Sequence, residues 1–256
     1  MKLVGRMLAL LVISLLALEV FFAGRIALMA VVAPQSTTFQ RSEVWRLLTE
    51  RGELAWRQQW VDNDRISNNL KRAVIASEDA AFTEHGGVDW DALEKAWEKN
   101  QRAEARAEKL AQRDEKRRAN RPAAAATTPK RPEPRIVGGS TITQQLAKNL
   151  FLAGERNFAR KGQEIVVTFM LEALLSKQRI LEIYLNNVEW GEGVFGAEAA
   201  AQHYFRTSAA NLGTYPSARL AVMLPAPKRF EKRPASGYVL SRAATIQARM
   251  GSVDLP

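Results

Sequence analysis

Residues Met7–Ala33 are apolar apart from Glu19 and Arg25, and this run restricts the fold more than any other part of the chain. Its 27 residues predict a helix able to cross a hydrocarbon core of about 30 Å, with tilt or with its ends in the headgroups. Lys2 and Arg6 precede it, which predicts a cytoplasmic N-terminus with the remaining residues outside. A cleaved signal peptide with Leu8–Leu18 as its apolar region is the alternative. No small-x-small cleavage site follows and apolar character continues to Val32, which favours a retained anchor. Glu19 is the costly residue in that reading.

The 256 residues suffice for one ordinary domain plus an appendage, and 46% are hydrophobic, enough for a sizeable core. The formal net charge of +10 is uneven. Gln101–Arg135 holds eleven Lys/Arg against five Asp/Glu, a surplus of six. Such a surplus suits an anionic partner, either nucleic acid or a membrane surface, and the N-terminal run decides for the membrane. The absence of cysteine rules out disulfides and thiolate metal sites, and two distant histidines rule out a multi-histidine site.

After the apolar run, Pro34–Thr38 reads as a turn-rich linker and Arg41–Leu48 as a helix start. Ser67 is a candidate N-cap for a helix that delivers Glu78 at or near its C-terminal end. Trp90, Leu93, Ala96 and Trp97 keep helical spacing within Val88–Asn100. Gln101–Arg135 begins as a Lys/Arg/Glu/Ala helical run and ends in RPAAAATTPKRPEPR, a low-complexity insertion read either as a solvated spacer or as a membrane-touching loop. Thr141-x-x-Gln144 is a capping-box start. Helices are expected over Ser140–Leu150, Arg160–Leu175, Lys177–Asn187, Ala197–Phe205, Pro216–Leu224 and Tyr238–Met250, with Gly191–Gly196 a glycine-rich loop. No period-two strand is sustained, so the soluble part is mainly α.

Two runs carry candidate chemistry. SEDAAFTEHGG (Ser77–Gly87) sets Glu78 and Asp79 beside Phe82 and His85; GGSTITQQLAKNLFL (Gly138–Leu152) is a glycine turn opening into a helix with Thr141, Gln144 and Lys148 on one face. Free N–H groups at a helix start favour an anion. On Arg160–Leu175 the apolar residues Ile165, Val166, Val167, Phe169, Met170, Leu171 and Leu174 cover most of the circumference, which predicts burial. The polar stripe Lys161, Glu164, Thr168 and Glu172 then either lines a cleft or forms a structural ion pair of Glu164 with Arg160 or Lys161.

The blocks SEDAAFTEHGG, GGSTITQQLAKNLFL, RKGQE and KQRILEIYLNN occur in an order that resembles the monofunctional peptidoglycan glycosyltransferases (glycosyltransferase family 51, the polymerase module of class A penicillin-binding proteins), from about Ser67 to Phe230. The resemblance implies a lysozyme-like helical domain over 67–235, a small membrane-associated lobe and an N-terminal transmembrane helix, followed by a C-terminal helix and tail over 236–256. The cytoplasmic N-terminus is then 1–6, the anchor 7–33, and the linker with its entry helix 34–66. It implies a protein of the bacterial cytoplasmic membrane that polymerises lipid II into β-1,4-linked strands. Glu78 is similar to the family's general base and Glu164 to its second essential acid. Asp79, Phe82 and His85 would shape the surroundings of Glu78. Ser140, Thr141, Gln144 or Gln145, and Lys148 would contact the donor's sugar and diphosphate, with Arg156, Arg160 and Lys161 as further cations.

A divalent cation (Mg or Mn) at the diphosphate is the one cofactor this leaves open, with its ligands unknown. Implied partners are lipid II, the growing strand, the membrane, penicillin-binding transpeptidases and division or elongation proteins, but not nucleic acid. Pro216-Ser217 departs from the family's usual Glu-Ala, and no Ser-x-x-Lys or Lys-Thr-Gly occurs, so no transpeptidase activity is expected. A lysozyme-like lytic enzyme is the rival reading within enzymes; a basic membrane scaffold is the rival outside them.

Overall fold

The computed structural model describes residues 2–119, 138–152 and 158–256, without the side chains of 114–119. Two compact units result, Met1–Val88 with Thr141–Pro256, and Asp89–Ser140.

In the first unit the helices are α1 (Lys2–Leu28), α2 (Thr38–Arg51) and α3 (Asn68–Glu78), then α5 (Ile142–Phe151), α6 (Phe158–Leu174) and α7 (Lys177–Asn187), then α8 (Ala197–Phe205), α9 (Thr214–Met223), α10 (Pro227–Phe230) and α11 (Gly237–Arg249). The second unit is built on α4 (Trp90–Ala119).

The centre of the first unit is α7. Ile180, Leu181, Ile183, Tyr184 and Leu185 are all at most 1% exposed, and with Glu182, Asn186 and Asn187 also buried this helix is enclosed on all sides. Each such apolar side chain contributes about 1.5–3 kcal/mol on burial. Its polar end is satisfied internally: the Asn186 amide donates to the Val61 carbonyl and accepts from the Val61 N–H, both at 2.9 Å. Around this centre, α5 packs on α6 and α7, while α3, α9 and α11 pack on one another.

Several boundaries follow from local chemistry. Ser67 caps α3 through the Asn69 N–H, and Thr37 with Gln40 forms a capping box for α2. Pro216 sits in the first turn of α9, where its missing N–H has no helical partner to lose. Expected and observed helices otherwise agree to within a few residues at their ends, except α4, which continues past Asn100 through the start of the 101–135 insertion to Ala119.

Three expectations need correcting. First, Gly191–Gly196, expected as a glycine-rich loop, is the turn and second strand of a short hairpin. Strands β2 (Glu189–Gly191) and β3 (Val194–Phe195) pair antiparallel, and β1 (Arg57–Gln58) adds parallel to β3. Strands of two or three residues are too short to show a period of two. Gly193 makes the turn at φ +71°, where a Cβ would lie 1.8 Å from the Ala55 carbonyl oxygen.

Second, α6 is not buried all round: Val167, Thr168, Leu171 and Glu164 face inward, but Val166, Phe169 and Leu174 are between 41% and 47% exposed. Third, the N-terminal helix ends at Leu28 rather than continuing to Ala33, and its lower part belongs to the domain core. Phe22, Ile26 and Met29 are buried, the Phe22 ring lies 5.0 Å from that of Phe151, and Arg179 Nε donates to the Met29 carbonyl at 2.8 Å. The upper part remains exposed and apolar, and the helix is long and apolar enough to cross a membrane. Glu19 accepts a hydrogen bond from Gln163 of α6 at 3.1 Å, so the one acid of the run is engaged with the domain.

Candidate active site

The helix α3 ends on Glu78 because Asp79 leaves helical geometry (φ −163°, ψ 73°) while its N–H still reaches the Ile75 carbonyl at 2.9 Å. Leu70, Ala73, Val74 and Ile75 bury the helix body, so the last turn has little freedom to move. Asp79 itself is 6% exposed and fully occupied. Its Oδ2 accepts from the N–H of Ile142, the first residue of α5, at 2.9 Å, and its Oδ1 accepts from His85 Nε2 at 2.8 Å. A carboxylate at a helix N-terminus meets unsatisfied donors and the positive end of the dipole. Asp79 therefore seats the end of α3 on the start of α5.

His85 has a defined tautomer. Its Nδ1 accepts from the Gly87 N–H at 3.1 Å, so the ring proton sits on Nε2 and is donated to Asp79. The turn beyond is fastened from three helices. Thr141 Oγ1 donates to the Gly87 carbonyl at 2.6 Å; Lys177 Nζ of α7 donates to the His85 carbonyl at 2.6 Å and to Glu172 Oε1 at 2.9 Å; and Thr143 Oγ1 donates to the same Glu172 oxygen at 2.6 Å. Gly87 has φ +93°, and a Cβ there would lie 2.7 Å from Thr168 Cγ2. Only glycine permits this close approach of turn to α6.

Glu78 is held differently. Gln145 Nε2 donates to its Oε2 at 3.1 Å, and the Tyr184 hydroxyl donates to Gln145 Oε1 at 2.9 Å. Burial pushes the Glu78 carboxyl above the usual carboxylate range, and the neighbouring Asp79 charge adds to this, while the bonds from Gln145 and Ser77 and the charge of Arg242 oppose it. Burial likewise raises the Tyr184 hydroxyl well above its ordinary value, so the phenol stays a donor.

The other expected residues fall into three groups. Phe82 is wholly buried under the turn, with Lys177 Nζ 4.6 Å from its ring centroid. Gln144 turns back to accept from the Thr141 N–H at 3.1 Å, completing the capping box, so Gln145 is the glutamine at Glu78. Lys148 is exposed one turn beyond Gln145. On the first turns of α6, Arg160 Nη1 lies 3.1 Å from one carboxylate oxygen of Glu164 and Lys161 Nζ pairs with the other. The ion pairs considered for this stripe both form, and Glu164 is 4% exposed. Ser140, exposed, belongs to the second unit. Arg156 lies outside the described residues.

The sequence does not single out Tyr184, Thr143 and Lys177 for this site, whereas Glu172 belongs to the polar stripe expected on α6 and is bound here by Thr143 and Lys177. Tyr184 carried a usable signal: a tyrosine in the buried run Ile180–Leu185 needs a partner for its hydroxyl. Among the described residues no three His, Asp or Glu converge as metal ligands, and the Glu164 carboxylate is engaged by Arg160 and Lys161.

The family model described as transglycosylase matches residues 46–109 and 119–251. The chain is similar to the biosynthetic peptidoglycan transglycosylase of Paraburkholderia phytofirmans, 48% identical over 249 residues, which covers 97% of this chain and 91% of that one. It is similar to that of Burkholderia thailandensis, 48% identical over 241 residues, 94% of this chain and 83% of the other. It is also similar to that of Bordetella pertussis, 50% identical over 223 residues, 87% of this chain and 82% of the other.

Proposed function

The chain belongs to the transglycosylase family, and from that premise we propose how it acts as a peptidoglycan glycosyltransferase that polymerises lipid II into β-1,4-linked glycan strands. The observation that carries the mechanism is Glu78: a carboxylate at a helix end, oriented by Gln145 and raised in proton affinity by burial.

The acceptor's 4-hydroxyl is a weak nucleophile until its proton is taken. Glu78 accepts that proton as the oxygen attacks C1 of the α-linked donor. The bond from C1 to the diphosphate oxygen breaks with its electron pair leaving on the diphosphate. One displacement inverts C1 and gives the β-linked product, without a covalent enzyme intermediate and without a second nucleophilic carboxylate.

Charge develops on the departing polyprenyl diphosphate. Lys148, Arg156, Arg160 and Lys161 are the cations we assign to it, with Ser140, Thr141 and Gln145 near the donor sugar. Glu164 acts through Arg160 and Lys161, which it holds in place, and is a positioning residue. Asp79, His85 and Phe82 position Glu78 in the same sense. A divalent cation at the diphosphate would take its ligands from the substrate, and no step here runs through one.

The helix α1 anchors the protein in a membrane. We assign the N-terminus to the cytoplasm and the catalytic unit to the outer face of the inner membrane, because Lys2 and Arg6 flank the span on its N-terminal side. The exposed Val166, Phe169 and Leu174 on α6, the helix against which α1 packs, would then meet lipid. Penicillin-binding transpeptidases and division or elongation proteins are the partners this placement suits.

A carboxyl with raised proton affinity would also serve as the general acid of a lytic hydrolase. Incubating the full chain with labelled lipid II separates the two. Appearance of muramidase-sensitive polymer is expected; shortening of preformed strands without polymer would overturn the reading.

A further inference from the structure

The helix α4 carries a ladder of cations on one face. Lys95, Lys99, Arg102, Arg106, Lys109 and Arg113 recur at spacings of four, three, four, three and four, and all are exposed. At about 100° per residue they fall within an arc of about 80°, along a line of about 27 Å. Exposed Glu94, Glu104 and Glu108 lie on another face; Glu98, at the edge of the arc, pairs with Arg102 at 3.1 Å. A third face is alanine-rich, and there the chain returning at Gly139 comes close. A Cβ on Gly139 would be 3.2 Å from Ala96 Cβ. The cationic face looks away from that contact.

Like charges three and four residues apart weaken an isolated helix. A ladder repeated over five turns therefore works against α4 unless negative charge lies along it. The geometry points to an anionic lipid surface as that partner, with the ladder of α4 lying along the headgroups. Two observations favour lipid over a soluble polyanion. The same chain carries α1, a helix long and apolar enough to cross a membrane, so headgroups are present at high effective concentration. Gln101–Arg135 as a whole carries a surplus of six positive charges, and each basic residue near an anionic lipid surface adds to the attraction.

The absence of cysteine allows a clean test. Ala105→Cys places one fluorescent donor at an exposed position beside the ladder. The full chain is reconstituted in nanodiscs carrying headgroup acceptors, with either phosphatidylcholine alone or roughly 30% phosphatidylglycerol. Energy transfer should rise about twofold with phosphatidylglycerol. It should fall back at about 0.5 M salt, where the Debye length is roughly 4 Å. A Lys99→Gln, Arg102→Gln, Arg106→Gln, Lys109→Gln variant should show the phosphatidylcholine value in both lipids while keeping its helix content. Equal transfer in the two lipids, or a phosphatidylglycerol effect that survives in the variant or at high salt, would overturn the proposal. So would a donor that responds to short duplex DNA and not to phosphatidylglycerol. The salt titration needs only the labelled Ala105→Cys chain and decides the matter even if the four-fold glutamine variant folds poorly.

Discussion

Gln145 Nε2 stands 3.1 Å from Glu78 Oε2, and the Tyr184 hydroxyl, 2.9 Å from Gln145 Oε1, fixes which end of the amide faces the carboxylate. With the phenol donating to the amide oxygen, the amide nitrogen is turned to Glu78. That arrangement favours the ionised carboxylate, whereas burial favours the protonated one. A base that must take a proton during one step and release it afterwards benefits from such opposition, because neither state is held too strongly.

Glu78→Gln removes the base and keeps an acceptor for Gln145. Polymerisation should fall by about 10²–10⁴-fold, the usual worth of general-base catalysis, while lipid II binding measured by fluorescence anisotropy stays within a fewfold. Stability should move the other way. A carboxyl raised above its unfolded value leaves the folded chain holding a proton that the unfolded chain has released, so stability drops as pH rises through that window. The variant should therefore melt above the parent at pH 7, and the two should converge below about pH 4, where both the folded and the unfolded parent come to hold the proton. A variant that melts lower at neutral pH would count against the buried carboxylate.

Tyr184→Phe removes the buried hydroxyl that donates to Gln145 Oε1, at a cost of about 1–3 kcal/mol, and loosens the hold on the amide's orientation. The donation to Glu78 weakens, so its proton affinity should rise further. The acidic limb of the pH–rate profile should then shift to higher pH and kcat should fall several-fold, with KM for lipid II little changed. A purely structural role for Tyr184 would lower thermal stability without moving that limb.

How much of this was legible in the sequence depended on whether a residue's role was local. Ser67, Thr141 and the position of Glu78 at a helix end follow from capping chemistry within a few residues, and each is where the spacing put it. Apolar residues on all sides of a helix read as burial whether the surroundings are protein or membrane, so the sequence does not separate the inward face of α6 from its outward one. The choice between Gln144 and Gln145 was open because the capping box and the site both want a glutamine there. Tyr184 and Lys177 act across more than thirty residues of sequence, on Gln145 and His85 respectively, and no periodicity reports a contact of that range.

Asp79→Asn tests whether the acid next to Glu78 positions or reacts. Asparagine has one acceptor oxygen where aspartate presents two, so either the Ile142 N–H or the His85 Nε2–H loses its partner or meets an amide N–H instead. We expect a loss of about 2–4 kcal/mol in urea unfolding. Activity should drop too, because the end of α3 is no longer fixed to α5. His85→Ala, which leaves the Ile142 bond intact, should cost less than half of that. Equal losses in the two variants would mean that the seat on α5 is not what Asp79 supplies.

Lys148 differs from all of these in being exposed, one turn along α5 from Gln145, where its charge can meet substrate. Lys148→Ala should therefore leave the melting temperature within about 1–2 °C, as for surface substitutions generally. A charge-assisted hydrogen bond is worth about 1.5–3 kcal/mol, so kcat/KM for lipid II should fall by about 10- to 100-fold. Lys148→Arg should recover part of the loss, since it restores the charge but not the compact ammonium. If the charge serves the departing diphosphate, the defect should grow with the negative charge left on the leaving group and persist at saturating lipid II. A defect confined to limiting substrate would instead assign Lys148 to ground-state binding alone.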